Sequence, residues 1–416
     1  MRESSLDTKT KENPWDCVPH DELFGFQGYP EVGDLVSPAK SRHLALIVAL
    51  RGTGSVSPNP LVGAVAVDAE HRFLGAAAHL RVGEAHAEAG LLQDLARNGL
   101  MSRLQGGKLY VTLEPCAHHG RTPPCAEAIA RLPLAEVVYG FQDPDPRVNG
   151  AGAACIREGG IRVTLDESWV EDCRELAEFF LRSAERKGPA GTRPAIFVGM
   201  KVASTLDGLV ARRGDQRTWI TGERARAHGH YLRLRYDAIL IGPGTFLADN
   251  PSLTVRHPVV GRTPLRIVLD PVGEVVKSPR VLESNLFQSQ PEKTLIMVGE
   301  GVDVGDSVRK SGVRVEYLPA MPRFEWSKIL NQITSEGVQS LLIEGGAGVY
   351  GSALASGVVD KIHWYRSPDD SGLPGDDPAA LRWVGHAGIP PALQIRRSVS
   401  LGRDTLIEGY WRRDAR

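Results

Sequence analysis

The triplet His86-Ala87-Glu88, followed along the chain by Pro115-Cys116 and by Cys125, offers three zinc ligands and one carboxylate left over. A catalytic zinc site commonly keeps three protein ligands and leaves the fourth position to water, whose acidity the metal raises until it is a nucleophile near neutral pH. His86, Cys116 and Cys125 can fill the three places. Glu88, two residues beyond the histidine, is then the candidate proton carrier between attacking water, ring nitrogen and departing amine. The implied chemistry is hydrolytic loss of an amino group from a nitrogen heterocycle.

Taken singly, each of these residues is more simply read as packed or solvated, since free Cys is among the most buried residue types. Together, with a Glu at fixed offset and a Pro before the first Cys, they outweigh that reading. A structural zinc site is the stronger competitor, and His118 or His119 could close it as fourth ligand. Glu88 would then have no purpose. Base deaminases commonly separate their two cysteines by two residues, whereas here eight residues, 117–124, intervene.

These side chains need particular elements behind them. Ala89, Leu91, Leu92 and Leu95 continue from Glu88 at helical spacing. Gly63-Ala64-Val65-Ala66-Val67 reads as a strand, and 108–113 as another that delivers Glu114, Pro115 and Cys116 to a loop. Cys125 opens a helix over 126–131, and 135–139 is a further strand. Two helix starts then meet at the carboxyl end of a strand, where open α/β sheets hold ligands. Upstream, 43–50 reads as a helix closed by Arg51-Gly52-Thr53-Gly54. Residues 1–40 are polar, with Pro14, Pro19, Pro30 and Pro38 scattered among charges, and are expected to form a disordered or loose extension.

The 416 residues exceed one ordinary core and suggest two domains. With 49 Lys+Arg against 50 Asp+Glu there is no basic field to gather nucleic acid, which favours a small-molecule substrate. Cys17, Cys155 and Cys173 form no paired framework, so no disulfide is expected and a cytoplasmic location is. No apolar run is long enough for a signal peptide or a bilayer. The stretch 186–194 has linker composition and divides a first domain, 41–185, from a second, 195–416. In the second, near-continuous apolar strands over 195–202, 238–242, 265–270, 294–298 and 340–344 alternate with helical patterns, as in a largely parallel sheet. Glu344-Gly345-Gly346-Ala347-Gly348 is a strand-to-helix turn able to cradle a phosphate, though without the spacing of the dinucleotide fingerprint.

In order and spacing, Pro58-Asn59-Pro60-Leu61-Val62-Gly63-Ala64, His86-Ala87-Glu88 and the stretch from Glu114 to Cys125 resemble the deaminase half of the bifunctional riboflavin-biosynthesis deaminase/reductases. Lys201-Val202-Ala203-Ser204-Thr205-Leu206-Asp207-Gly208, Trp219-Ile220-Thr221, the stretch from Thr245 to Arg256 and the Glu344-Gly345-Gly346 turn resemble its reductase half. The resemblance implies an α/β protein with a cytidine-deaminase-like three-layer domain and a dihydrofolate-reductase-like domain. It implies zinc and NADPH as cofactors, and a phosphorylated pyrimidine substrate that is first deaminated and then reduced from ribosyl to ribityl. Asn59 and His79 would contact the pyrimidine. Ser204, Trp219, Thr245, Asp249, Gly346, Ala347 and Gly348 would line the cofactor site. Arg217, Arg233, Leu253, Arg256 and Glu344 would hold the substrate, Arg being suited to phosphate. A homo-oligomer is expected. The sequence departs from the family at Arg217, where a small hydroxyl residue is usual, and at Pro271, which can donate no hydrogen bond to a cofactor phosphate. It departs again over 363–372, where an altered closing edge is expected. These departures motivate an alternative: an active deaminase whose second domain is a degenerate binding or oligomerisation module. Deaminases of free nucleosides or of tRNA share the zinc chemistry but neither the cysteine spacer nor the second domain.

Overall fold

The computed structural model describes residues 28–117, 123–144, 149–184, 195–212, 219–256, 261–319, 324–373, 377, 380–383 and 389–412. Arg217, the stretch 186–194, His118 and His119 lie outside these, as do Cys17 and the first 27 residues.

The first domain is built on a five-stranded sheet. Its helices and strands run α1 (Pro38–Ala49), β1 (Gly63–Val67), β2 (Phe73–Ala78), α2 (Ala87–Arg97), β3 (Lys108–Val111), α3 (Cys125–Ala130), β4 (Glu136–Tyr139), α4 (Ala151–Glu158), β5 (Arg162–Leu165), α5 (Val170–Leu176) and α6 (Glu178–Ala184). The spatial order is β2-β1-β3-β4-β5, with β1 antiparallel to its neighbours and β3, β4 and β5 parallel. Alternation along the strands sends Ala64, Ala66, Leu109, Val111 and Val137 to the face covered by α2, α3 and α4. Val65, Val67, Tyr110 and Val138 go to the face covered by α1 and by Trp169 and Cys173. Three layers result, as expected.

Residues 33–40, expected to belong to a loose extension, are instead part of the fold. Val36 is 1% exposed, Leu35 bridges Arg72, and the Gly33 N–H donates to the Phe73 carbonyl. Helix α1 opens at Pro38, with the Ser37 hydroxyl accepting from Lys40 N–H at 3.1 Å. A proline in the first turn of a helix forfeits no hydrogen bond, so a residue that read as a breaker is part of a start signal.

The second domain carries a nine-stranded sheet. Its elements are β6 (Phe197–Ser204), β7 (Leu209–Arg212), α7 (Glu223–Arg235), β8 (Ala238–Ile241), α8 (Pro243–Asp249), β9 (Leu265–Asp270), α9 (Asn285–Gln288), β10 (Thr294–Gly299), α10 (Asp306–Arg309), β11 (Arg314–Leu318), α11 (Trp326–Ser335), β12 (Ser340–Gly345), α12 (Ala347–Ala355), β13 (Lys361–Arg366), β14 (Ala380–Arg382), β15 (Leu393–Leu401) and β16 (Asp404–Trp411). The order β11-β10-β9-β8-β12-β6-β13 is parallel throughout, and β16 and β15 close it antiparallel. Its inner strands β8, β10 and β12 are largely apolar on both faces because helices cover both. The expected alteration after Ile362 is not seen in the strand itself: His363 to Arg366 pair regularly with β6 and with β16. No helix among the described residues is long and apolar enough to cross a membrane.

Candidate active sites

His86 caps α2 with extended backbone, and its carbonyl accepts the Gly90 N–H at 2.8 Å. Its side chain does not serve the cap. It points across to the end of β3, where Nδ1 lies 3.6 Å from Cys116 Sγ and 3.6 Å from Cys125 Sγ. Tetrahedral zinc with ordinary Zn–N and Zn–S bonds sets nitrogen and sulfur about 3.6 Å apart, so the three donors are spaced for the ion. The two cysteine segments hold each other: Cys125 N–H donates to Cys116 Sγ at 3.4 Å, and Ala126 N–H to the Cys116 carbonyl at 3.1 Å. Among the described residues this is the one His/Cys/Asp/Glu cluster of metal-site dimensions.

Glu88 sits in the first turn of α2, 4% exposed, beside Cys125 and within the field of His86 and Cys116. Burial pushes its carboxyl up to about 7. A carboxyl poised there can both take and give a proton near neutral pH. His79 is buried against the ring of His86, their centroids 5.4 Å apart. Its Nδ1–H donates to the Ala85 carbonyl at 3.1 Å, which leaves Nε2 to accept from the Asn59 amide at 3.1 Å. Burial lowers its pKa, so this neutral tautomer is the stable one. The two sequence candidates for pyrimidine contact are thus hydrogen-bonded to one another beside the metal ligands.

Glu114, at the head of the cysteine motif, has a structural task. It is buried and accepts N–H groups from Asp143 at 3.3 Å, Gly150 at 3.0 Å and Ala153 at 3.1 Å, fastening α4 to the cysteine turn. A buried carboxylate next to Pro115-Cys116 needs such donors, and its place immediately after an apolar strand was the available signal.

In the second domain two turns stand side by side at the carboxyl ends of β8 and β12. Gly242 N–H donates to the Gly345 carbonyl at 3.2 Å, and Gly346 adopts φ 93°, a conformation that favours glycine. Thr245, in the first turn of α8, packs so closely on Gly345 that a Cβ there would lie 2.7 Å from its hydroxyl. Ala347 and Gly348 open α12, with Gly348 exposed and Asp249 at the end of α8. This bare backbone at adjacent strand ends suits a nucleotide phosphate, as the cofactor reading requires. Ser204 is placed differently. Its hydroxyl is wholly buried, donates to the Thr205 carbonyl at 3.0 Å and accepts the Trp364 indole N–H at 2.8 Å. Trp219 is 60% exposed, with the Arg226 guanidinium stacked 4.7 Å from its ring centre.

Glu344 meets Arg233 in a bidentate pair, both contacts 2.8 Å, and Arg233 also donates to the Thr254 carbonyl at 3.2 Å. Burial would raise the Glu344 carboxyl, but Arg233 and Lys201 outweigh it and hold it down. Arg233 therefore braces the site more than it offers an open fork to phosphate. His230 Nδ1–H donates to the same Thr254 carbonyl at 3.1 Å. Just before it, Leu253 takes φ 50° with its side chain buried, an uncommon backbone that turns the chain toward exposed Arg256. Lys201, quoted in a motif but assigned no role, lies on β6 one step beyond the Met200–Ile343 pairing, next to Glu344. Asp207 accepts from Thr205 at 2.5 Å and from Ser371 N–H at 2.9 Å, and pairs with Arg382, tying the turn after β6 to the strand segment β14.

One domain thus has the layers and donor set of a zinc-dependent base deaminase, and the other is a largely parallel sheet domain with bare glycine turns at its carboxyl edge. Comparison with known proteins carries this further. Residues 39–141 match the cytidine and deoxycytidylate deaminase zinc-binding region, and residues 196–407 match the RibD C-terminal domain. The riboflavin biosynthesis protein RibD of Bacillus amyloliquefaciens is 36% identical over 78% of this chain and 82% of its own, and that of Aquifex aeolicus 33% identical over 88% and 96%. Among solved structures, a diaminohydroxyphosphoribosylaminopyrimidine deaminase/5-amino-6-(5-phosphoribosylamino)uracil reductase of Thermotoga maritima matches with TM-score 0.70 and 30% identity, over 88% of this chain and 97% of its own. The RibD of Acinetobacter baumannii matches with TM-score 0.67 and 29% identity, over 89% and 98%. The chain belongs to the RibD family and is a bifunctional deaminase and reductase of riboflavin biosynthesis, using zinc and NADPH. Both domains are recognised, which favours this reading over a degenerate second domain.

Proposed function

We propose that residues 41–185, with 33–40 folded against them, form the deaminase unit, which converts a diaminopyrimidine phosphoribosylamine to its uracil counterpart, and that residues 195–416 reduce the ribosyl group of the product. The observation that carries the first half is the spacing of His86, Cys116 and Cys125, 3.6 Å from imidazole nitrogen to each sulfur. Zinc, when bound there, supplies Lewis acidity that makes water nucleophilic near neutral pH. The chain does the rest. Asn59, held by His79, orients the pyrimidine, and the Glu88 carboxyl takes a proton from the attacking water and returns it to the departing amine. The balanced charge supports a small-molecule substrate over a nucleic acid.

In the second half, NADPH, when bound, would supply hydride to C1 of the sugar. The Gly346 turn, Thr245 and Asp249 would hold that cofactor, and Arg256 would bind the substrate phosphate. Lys201, braced by Glu344 and Arg233, provides positive charge, and a proton at Nζ, where the ring-opened C1–N group gains electrons on reduction. The deciding experiment uses Glu88→Gln. It should keep about one zinc per chain and lose deamination by at least about a hundredfold, while supplied uracil intermediate is still reduced. Undiminished ammonia release in that variant would remove Glu88 from the mechanism.

A further inference from the structure

Lys201 has an unusual neighbour. Its Nζ lies 5.7 Å from the centre of the Tyr365 ring, within cation–π range, on the sheet face that β13 shares with β6. The other groups around it come from every adjoining element: His363, paired opposite it on β13, Glu344 on β12 with Arg233 and His230 of α7 beside that carboxylate, and Tyr350 on α12, whose hydroxyl donates to the Lys201 carbonyl at 2.8 Å. Tyr365 is wholly buried, so its ring cannot swing away without opening the core. Its far end is fixed as well. The Tyr365 hydroxyl and His228 Nδ1 are hydrogen-bonded at 2.6 Å, and His228 is itself buried on α7. Glu408, His363, Arg235 and Arg397 act on His228 through space, and burial, the largest influence, holds its pKa down to about 4, so it stays neutral. A neutral partner keeps positive charge from competing with Lys201 for the ring.

We propose that Tyr365 and His228 are positioning residues of the reductase site: Tyr365 presents its ring face to the Lys201 ammonium, keeping it charged and aimed along the carboxyl edge of the sheet, and His228 locks the ring. The proposal rests on the reading that the reductase substrate binds beside Lys201 and Glu344. Both residues are buried, so each acts through Lys201. Removing the ring withdraws a stabiliser of the ammonium, and the lysine then loses its proton at lower pH. Removing only the hydroxyl keeps the face and loses the His228 anchor at the far end of the ring.

The test uses the full-length zinc-loaded protein with wild type, Tyr365→Leu, Tyr365→Phe and His228→Gln. Reductase kcat and KM are followed across pH with the deaminated intermediate supplied, and ammonia release and the thermal midpoint serve as controls. Tyr365→Leu should lower reductase kcat about tenfold, leave KM for NADPH and the deaminase rate unchanged, and move the alkaline limb of kcat down by about half a pH unit. Tyr365→Phe and His228→Gln should lower kcat by a smaller factor and leave that limb in place. Should Tyr365→Leu not fold, Tyr365→Met, nearer in volume, takes its place under the same expectation. An alkaline limb that stays at its wild-type pH when the ring is gone overturns the proposal, as does a fall in kcat that merely follows the thermal midpoint. A wild-type protein that reduces no intermediate would instead refute the reading on which the proposal rests.

Discussion

Cys116 and Cys125 reach the same point from different elements, one at the end of β3 and the other opening α3, and His86 approaches from the cap of α2. Each contributes a donor that the others cannot replace, and a thiolate-rich set favours zinc over hard cations. Cys116→Ser and Cys125→Ser should each bring bound zinc well below one per chain, by metal analysis, and abolish ammonia release. Reduction of supplied intermediate should change less than about twofold, because the two sites share no ligand. A variant retaining full zinc would show that the site is built otherwise. These residues were legible in the sequence because metal chemistry admits few residue types and Glu88 stands at a fixed offset. Arg233 and Ser204 were legible only as types. The partner that occupies Arg233 is Glu344, 111 residues away, and the group that turns Ser204 inward is Trp364, 160 residues away. Nothing local encodes either.

The cysteine turn is held by an element that carries no ligand. Gly152, in the first turn of α4, lies against the Pro115 carbonyl, where a Cβ would strike the oxygen. Gly152→Ala should therefore displace either α4 or the Pro115-Cys116 turn. Overpacking of this kind costs about 1–3 kcal/mol. We expect at least a tenfold loss of deaminase kcat/KM with the reductase intact, and a deaminase that tolerates the alanine would mean the turn gives way freely. Element types were read well wherever apolar strands alternate with helices, because burial on both faces leaves a continuous run. The five strands expected in the second domain appear as β6, β8, β9, β10 and β12, the last expected over 340–344 and observed as Ser340–Gly345. The entry to α1 was misread because Pro38 was weighed without Ser37 before it.

Between the domains lies a buried charge cluster. Lys361, 0% exposed, donates to Glu175 at 2.6 Å and to Glu178 at 3.2 Å; Arg235 meets Glu178 at 2.7 Å, Arg396 meets Glu175 at 3.1 Å, and Arg397 meets both Glu175 and Glu408. The acids Glu175 and Glu178 belong to α5 and α6, and the four cations to the reductase sheet and α7. Breaking one such pair by removing a partner costs about 3 to 5 kcal/mol. Burial would raise the Glu175 carboxyl, yet Lys361 and Arg397 prevail and hold it down to about 2 from an ordinary 4.5. A carboxyl depressed on folding stabilises above its unfolded pKa, and that contribution fades as pH falls from about 4.5 toward 2. Wild type should accordingly exceed Glu175→Gln in thermal midpoint at pH 7, with the gap closing across that acid window. A constant gap would place the contribution of Glu175 in packing. This cluster was not legible in sequence, since its acids and Lys361 stand 183 and 186 residues apart.

The same cluster bears on how the two activities could ever be parted. A cut between 185 and 194 looks natural on the chain, but a reductase half parted there would leave Lys361, Arg235 and Arg396 without their acids, and α5 and α6 with unanswered carboxylates. The halves are fused through their charges as well as their backbone. An engineer wanting a free-standing reductase would have to carry 170–184 along with it, or first rewrite those cations as neutral side chains.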